Sequence, residues 1–175
     1  MIRAVARPLL AESSRQWHHL LTKTSSSCMF QSDEKERFEV WVSVMDDALN
    51  EFKELLPGEL AVKLDGSPES LQALEAWILQ NYADYHAVKA ERNTTLIDGV
   101  ARYLGEVLRK RVGGIWDIRF GKPKDINNGI PLIVGYRGQQ TPLAPHRLIT
   151  ACADRRTGDY FLTLLRNQAE LGATR

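Results

Sequence analysis

The most regular pattern in the sequence is a stripe of apolar residues between Asn93 and Gly113. Its members recur every three or four residues: Leu96, Ile97, Val100, Leu104, Val107 and Leu108. This spacing places them on one face of an α-helix, and the pair Gly113-Gly114 is typical of a helix end. Because an apolar face of this width must be covered by other elements, we expect the chain to fold around a helix over 94–112.

Four further segments show helical spacing. The longest covers 32–56, where acidic residues follow a serine at the start and Pro57-Gly58 marks the end. Ser67-Pro68 begins a second helix, with proline at its first position. Pro145 and Asp159 begin two more near the C-terminus.

Three short segments are predicted to form strands. Apolar residues alternate with others over 59–64 and 115–120, and 130–136 is a short apolar run. The segments 115–120 and 130–136 are expected to pair. Helices and strands are therefore segregated along the chain, which predicts the α+β class: amphipathic helices packed on a small, mainly antiparallel sheet.

The length of 175 residues suits one domain with a tail. Residues 1–31 contain four basic residues and one acidic residue, and we interpret them as a basic N-terminal extension, either flexible or folded as one short helix. Residues 32–175 are expected to form a single α+β domain. No apolar run is long enough to cross a membrane. Cys28 and Cys152 are too few for a disulfide framework, and a cytoplasmic location is predicted.

The formal net charge of +1 conceals an uneven distribution. Residues 32–91 contain 14 acidic and 5 basic residues, whereas residues 92–175 contain 14 basic and 7 acidic residues. Two interpretations are open. The two blocks neutralise each other within one fold, or one charged face stays exposed and attracts a partner of opposite sign.

The acidic block offers candidate partner-binding residues on the helix predicted over 32–56: Asp46, Asp47, Glu51 and Glu54. Carboxylates on a helix can imitate the phosphate spacing that a basic toxin or enzyme recognises, which predicts a basic protein partner. Carboxylates on an ordinary solvated face are the alternative.

The helix over 94–112 adds three candidates for partner binding, Arg102, Glu106 and Arg109. Glu106 is alternatively expected to form an ion pair with a neighbouring arginine. Gly105 interrupts a good helix, at a cost of about 1 kcal/mol relative to alanine. It therefore predicts close packing against another element such as the strand of Trp116. The basic segment 92–124 also permits a second function, that of a nucleic-acid-associated regulator.

The sequence predicts no catalytic residue, no metal site and no cofactor. The four histidines lack metal-ligand spacing, no phosphate-binding glycine motif occurs, and no nucleophile motif occurs. His146 and Cys152 are six residues apart, so they would not face each other on one helix. A small enzyme of unknown chemistry is the third alternative.

The helix segment Tyr103-Leu104-Gly105-Glu106, followed by Gly114-Ile115-Trp116 at a strand start, resembles a group of uncharacterised bacterial α+β domains. The segment Leu64–Leu71 resembles the strand-to-helix turn of the same group, and the resemblance covers about residues 35–165. Some of these domains resemble immunity or accessory proteins of bacterial toxin systems. The resemblance therefore implies a non-catalytic protein-binding module of the immunity, inhibitor or accessory type.

Overall fold

The computed structural model describes residues 27–121 and 124–171. In chain order the elements are α1 (Ser27–Ser43), α2 (Met45–Glu54), α3 (Gly58–Lys63), α4 (Pro68–Asn81), α5 (Tyr85–Lys89), α6 (Thr94–Val112), β1 (Ile115–Ile118), β2 (Pro131–Val134), α7 (Pro145–Arg155) and α8 (Tyr160–Leu171). Short 3₁₀ turns lie at Glu91–Asn93 and Tyr136–Gly138. None of the helices in these described ranges is long and apolar enough to cross a membrane.

The α+β prediction is confirmed. Strands β1 and β2 form an antiparallel pair, with Ile115 opposite Val134 at one end and Ile118 opposite Pro131 at the other. An isolated antiparallel bridge between Ile133 and Leu143 covers the free edge of β2. The predicted pairing of the segments 115–120 and 130–136 is therefore present, within shorter strands.

Helix α6 is the central element of the molecule, as the apolar stripe predicts. It packs against α2, α4, α7 and α8. Every residue from Ile97 to Leu108 is buried. Because neighbours surround the helix, its polar residues Asp98, Arg102 and Glu106 are buried together with the apolar stripe.

The helix predicted over 32–56 differs from the observed structure at its start and in its middle. Residues 1–26 of the predicted N-terminal extension lie outside the described residues, but Ser27–Gln31 already belong to α1. A turn at Val44 then separates α1 from α2. Just before this turn, the Ser43 hydroxyl donates a 2.8 Å hydrogen bond to the carbonyl of Val40, a contact that bends helices.

The strand predicted over 59–64 is wrong, because these residues form α3. Leu60 and Leu64 are buried and Val62 is 84% exposed. Residues i and i+4 share one face of a helix and also one face of a strand, so Leu60 and Leu64 fit either structure. The carbonyl of Pro57 accepts hydrogen bonds from the amides of Leu60 and Ala61 and so starts the helical turn.

Two sets of polar contacts fix helix ends over long sequence distances. The buried Glu75 carboxylate accepts hydrogen bonds from the amides of Tyr160 and Phe161 at 3.0 and 2.9 Å, at the start of α8. The Arg156 guanidinium donates to the carbonyls of Leu79, Tyr82 and Ala83 at the end of α4. These contacts connect α4 to the C-terminal helices.

Cys152 is fully buried. Burial, together with the nearby Glu75 carboxylate, raises the pKa of its thiol to about 12. The thiol therefore stays protonated at neutral pH and packs as a small apolar side chain. The side chain of Cys28 lies outside the described residues.

Candidate partner-binding site

The predicted acidic residues lie on the solvent side of α2. Asp46, Asp47, Glu51 and Glu54 are all exposed, while Met45, Ala48 and Phe52 on the opposite side of the helix are buried. Among the described residues, none of the four carboxylates forms an ion pair or a side-chain hydrogen bond. We call these four residues the acidic face.

Two exposed apolar side chains accompany the acidic face in the sequence. Leu55 follows Glu54 and is 60% exposed, and Val62 on α3 is also solvent-exposed. Isolated apolar residues on a surface are common and need no explanation. Here Leu55 also forms part of a groove.

The groove runs between α2 and α6. Its walls are residues at positions i, i+3, i+4 and i+7 of each helix: Ala48, Glu51, Phe52 and Leu55 on α2, and Thr95, Asp98, Gly99 and Arg102 on α6. This spacing shows that one face of each helix lines it. It is half open to solvent, with a volume of about 40 Å³. The helices approach closely because Gly99 has no side chain, and a Cβ there would overlap the Phe52 ring.

A buried ion pair forms the inner wall of the groove. Asp98 is 5% exposed and Arg102 is 1% exposed. The Nε of Arg102 donates to Oδ2 of Asp98 at 2.8 Å. Trp41 on α1 connects to both residues: its Nε1 donates to the Asp98 carboxylate at 3.0 Å, and its carbonyl accepts a 2.7 Å hydrogen bond from Nη1 of Arg102. The guanidinium also stacks on the Trp41 ring, 4.1 Å from its centroid.

The Asp98 carboxylate is held in its ionised form. Burial alone would raise its pKa, but hydrogen bonds from His146 and Arg102 and the charges of these two residues lower the pKa of Asp98 to about 2. Nε2 of His146 lies 3.5 Å from Oδ1 of Asp98. A carboxylate with so low a pKa is a fixed anion at neutral pH and a poor carrier of protons.

Two buried nitrogen atoms in this cluster, Nη2 of Arg102 and Nδ1 of His146, have no hydrogen-bond partner within residues 27–121 and 124–171. Buried polar atoms are nearly always paired in native proteins. Nη2 of Arg102 can only donate and therefore calls for an acceptor, and Arg102 is the one of the two residues that lines the groove.

Glu106 and Arg109 form a separate cluster further along α6. Arg109 donates two hydrogen bonds to the Glu106 carboxylate at 2.8 and 2.9 Å, and Nε1 of Trp116 donates a third at 2.7 Å. Although burial opposes ionisation, these contacts lower the pKa of Glu106. Gly105 lies directly against the Trp116 ring, where a Cβ would overlap it. The expected ion pair of Glu106 and the expected close packing of Gly105 are both present.

The seven predicted site residues therefore fall into three environments. The acidic face on α2 is open to a partner. Arg102 lies beneath it, covered by α1 and α2, with Nε and Nη1 bound to residues of the protein and Nη2 left without an acceptor among the described residues. The buried Glu106 is held by Arg109, which is partly exposed. Asp98, His146 and Trp41 were not among the predicted site residues, although Asp98 and Arg102 have the i, i+4 spacing that favours an ion pair on a helix.

Within residues 27–121 and 124–171, no group of three or more histidine, cysteine, aspartate or glutamate residues is arranged to hold a metal ion. The resemblance to bacterial immunity and accessory domains stays a prediction. Comparisons with protein-family models, with curated proteins and with solved structures gave no match to this chain.

Proposed function

We propose that this chain is a non-catalytic protein-binding module of the bacterial cytoplasm, of the immunity, inhibitor or accessory type, and that its acidic face binds a basic protein. The observation that carries the proposal is the set of four exposed carboxylates on α2 without an ion pair to any described residue. Such a surface attracts and orients a positively charged partner.

The ion pairs support this proposal because of where they lie in the sequence. All of the ion pairs between described residues lie within residues 92–175, the basic block. They join Asp98 with Arg102 and His146, Glu106 with Arg109 and Lys110, and Asp117 with Arg119. None of them joins residues 32–91 to residues 92–175. Although the two blocks fold together, no ion pair between described residues neutralises the carboxylates of the acidic face.

The same ion pairs weaken the nucleic-acid alternative. Within the segment 92–124, the guanidinium of Arg102 is buried, and those of Arg109 and Arg119 are paired with carboxylates. A phosphate contact by these arginines would have to replace an existing partner. Arg92, Lys110, Arg111 and Lys124 remain exposed, with Lys110 lying 4.0 Å from Glu106. A phosphate-binding surface relies on several such cations acting together on one face, and the paired arginines are not available to extend it.

The groove gives little support to the enzyme alternative. Its volume of about 40 Å³ is far below the roughly 300–1,000 Å³ of pockets that enclose small-molecule ligands. The carboxylate at its inner wall, Asp98, has a pKa of about 2, whereas an effective general acid or base titrates near the working pH.

Co-purification tests the proposal. The full-length protein is expressed with the products of its neighbouring genes and compared with the variant Asp46→Lys/Asp47→Lys/Glu51→Lys/Glu54→Lys. A control variant, Glu91→Lys/Asp154→Lys, reverses two exposed acidic residues outside the acidic face.

We expect a basic protein to be retained by the wild type and by the control, and to be lost from the acidic-face variant. Retention by the wild type should also weaken as salt is added, because exposed charges are screened. Equal retention by all three proteins, or the absence of any stable protein partner, contradicts the proposal.

A further inference from the structure

We infer that the groove between α2 and α6 receives a lysine- or arginine-containing peptide segment of the partner. The positive charge of that segment contacts Glu51, and one of its peptide carbonyls accepts a hydrogen bond from Nη2 of Arg102. This inference rests on the proposed function, because it locates the deepest contact within the site that includes the acidic face.

The carbonyl is inferred from the donors of Arg102. Nε is used by Asp98, and Nη1 by the carbonyl of Trp41. Nη2 is buried without an acceptor in the described part of the chain, which is unfavourable, and more so for a charged group than for a neutral one. A peptide carbonyl supplies the missing acceptor without placing a second negative charge beside Asp98. Since Nη2 is covered in the free protein, we expect side chains at the groove to shift when the segment binds.

The positive charge is inferred from the charges around the groove. The charge of Asp98 is already compensated by Arg102 and by its contact with His146, so the uncompensated charge at the groove is that of Glu51, and the rest of the acidic face adjoins the groove on α2. A phosphate or a free carboxylate would be repelled by this surplus. A lysine or arginine is attracted by it, and the aliphatic part of such a side chain can lie along the exposed Leu55.

The size of the groove favours a segment of a larger partner. A volume of about 40 Å³ is far below that of a pocket that encloses a small-molecule ligand, so the groove takes only a small part of the partner. The groove therefore suits one polar contact within a wider interface, surrounded by the charge contacts of the acidic face.

Two small probes separate the charge from the carbonyl. The peptide acetyl-Lys-Lys-Lys-amide carries three ammonium groups and several peptide carbonyls, whereas spermidine carries three ammonium groups and no carbonyl. Each is titrated to millimolar concentration into the isotopically labelled full-length protein. The NMR signals followed are the amide of Gly99, the side-chain Nε–H of Arg102 and the amides of Asp46 and Asp47.

Blocking variants test the location. Thr95→Arg and Leu55→Arg each place a long side chain at an exposed position in one wall of the groove, so that one serves if the other fails to fold. Thr163→Arg makes the same change at an exposed threonine of α8, outside the groove. We expect a blocking variant to weaken peptide binding about tenfold, equivalent to about 1.4 kcal/mol, while the control changes it less than about twofold.

We expect the peptide to shift the Gly99 and Arg102 signals, and spermidine to shift those of the acidic face alone. If the peptide shifts Asp46 and Asp47 but leaves Gly99 and Arg102 unchanged, the groove inference is wrong and the proposed function still stands. If spermidine shifts Arg102 as strongly as the peptide does, or if neither probe shifts any signal, the inference is also wrong. Co-purification with the acidic-face variant judges the proposed function separately.

Discussion

Removing the charge of Asp98 is expected to destabilise the protein severely. The substitution Asp98→Asn keeps the shape of the side chain and an oxygen that can accept a hydrogen bond from Trp41. It removes the counter-charge of Arg102, which is buried and cannot reach solvent. Breaking a buried ion pair in this way costs about 3–5 kcal/mol.

The lowered pKa of Asp98 indicates the same direction. Its pKa falls from the ordinary value of 3.8 to about 2 in the folded protein, and each pKa unit corresponds to about 1.4 kcal/mol. The ionised carboxylate therefore contributes about 2 kcal/mol to stability at neutral pH. Since the folded pKa is depressed, this contribution is present above the unfolded pKa of 3.8 and is lost as the pH falls from there toward 2.

Urea unfolding, followed by tryptophan fluorescence, measures the effect. At neutral pH we expect Asp98→Asn to lower the free energy of unfolding by about 3–5 kcal/mol. The exposed control Asp154→Asn should change it by less than about 0.5 kcal/mol. The double variant Asp98→Leu/Arg102→Met removes both charges and should be less destabilised than Asp98→Leu alone, because no unpaired charge is left buried.

Two results would refute this reasoning. One is a loss below about 1 kcal/mol for Asp98→Asn, which is the ordinary effect of a point substitution. The other is a parallel loss of stability in the wild type and in Asp98→Asn between pH 3.8 and 2, because only the wild type has the carboxylate that titrates there.

Three further substitutions test the packing and the long-range helix contacts by urea unfolding. Gly105→Ala should destabilise the protein by about 1–3 kcal/mol, because the added Cβ overlaps Trp116. The control Gly58→Ala has open space around the added Cβ and should be neutral or slightly stabilising. Equal effects of the two substitutions would contradict the close packing of Gly105. Glu75→Gln should cost about 1–3 kcal/mol, since an amide has one oxygen for the two backbone donors at the start of α8, and no loss would mean that these bonds are not needed. Arg156 has a φ of 53°, so Arg156→Gly relieves backbone strain of roughly 1 kcal/mol. We still expect net destabilisation, because three hydrogen bonds to the end of α4 are lost. A more stable variant would show that the strain outweighs these hydrogen bonds.

The main helices could be predicted because each carries its own local signals. The apolar stripe of α6, the end at Gly113-Gly114 and the Ser67-Pro68 start of α4 are readable within a few residues and match the structure. The strand predicted over 59–64 failed because six residues are too few to separate a period of two from a period of 3.6. In the helix that these residues form, Leu60 and Leu64 are buried against the rest of the fold.

The candidate site could be predicted only in part. The exposure of the acidic residues on α2 follows from the amphipathic pattern of one helix, so the sequence was sufficient to predict it. The burial of Arg102 was not predictable in this way, because it results from the packing of Trp41, 61 residues earlier in the chain, over the polar side of α6. The ion pair with Asp98 was within reach of the i, i+4 rule, whereas the contact of His146 with Asp98 requires the tertiary fold.

The buried cluster and the acidic face are mechanically connected, and this connection has a measurable consequence. The Asp98–Arg102 pair holds Trp41 at the end of α1, and α2 packs over the same part of α6. Weakening the Asp98–Arg102 pair should therefore loosen α2 and reduce the affinity for the partner. This effect acts through the position of α2, because Asp98 and Arg102 are buried beneath the acidic face. Conversely, a partner that binds only the folded acidic face should stabilise Asp98→Asn, by about 2.7 kcal/mol at a partner concentration one hundred times its Kd. A partner that binds without raising the stability would have to bind the unfolded chain about as tightly as the folded protein.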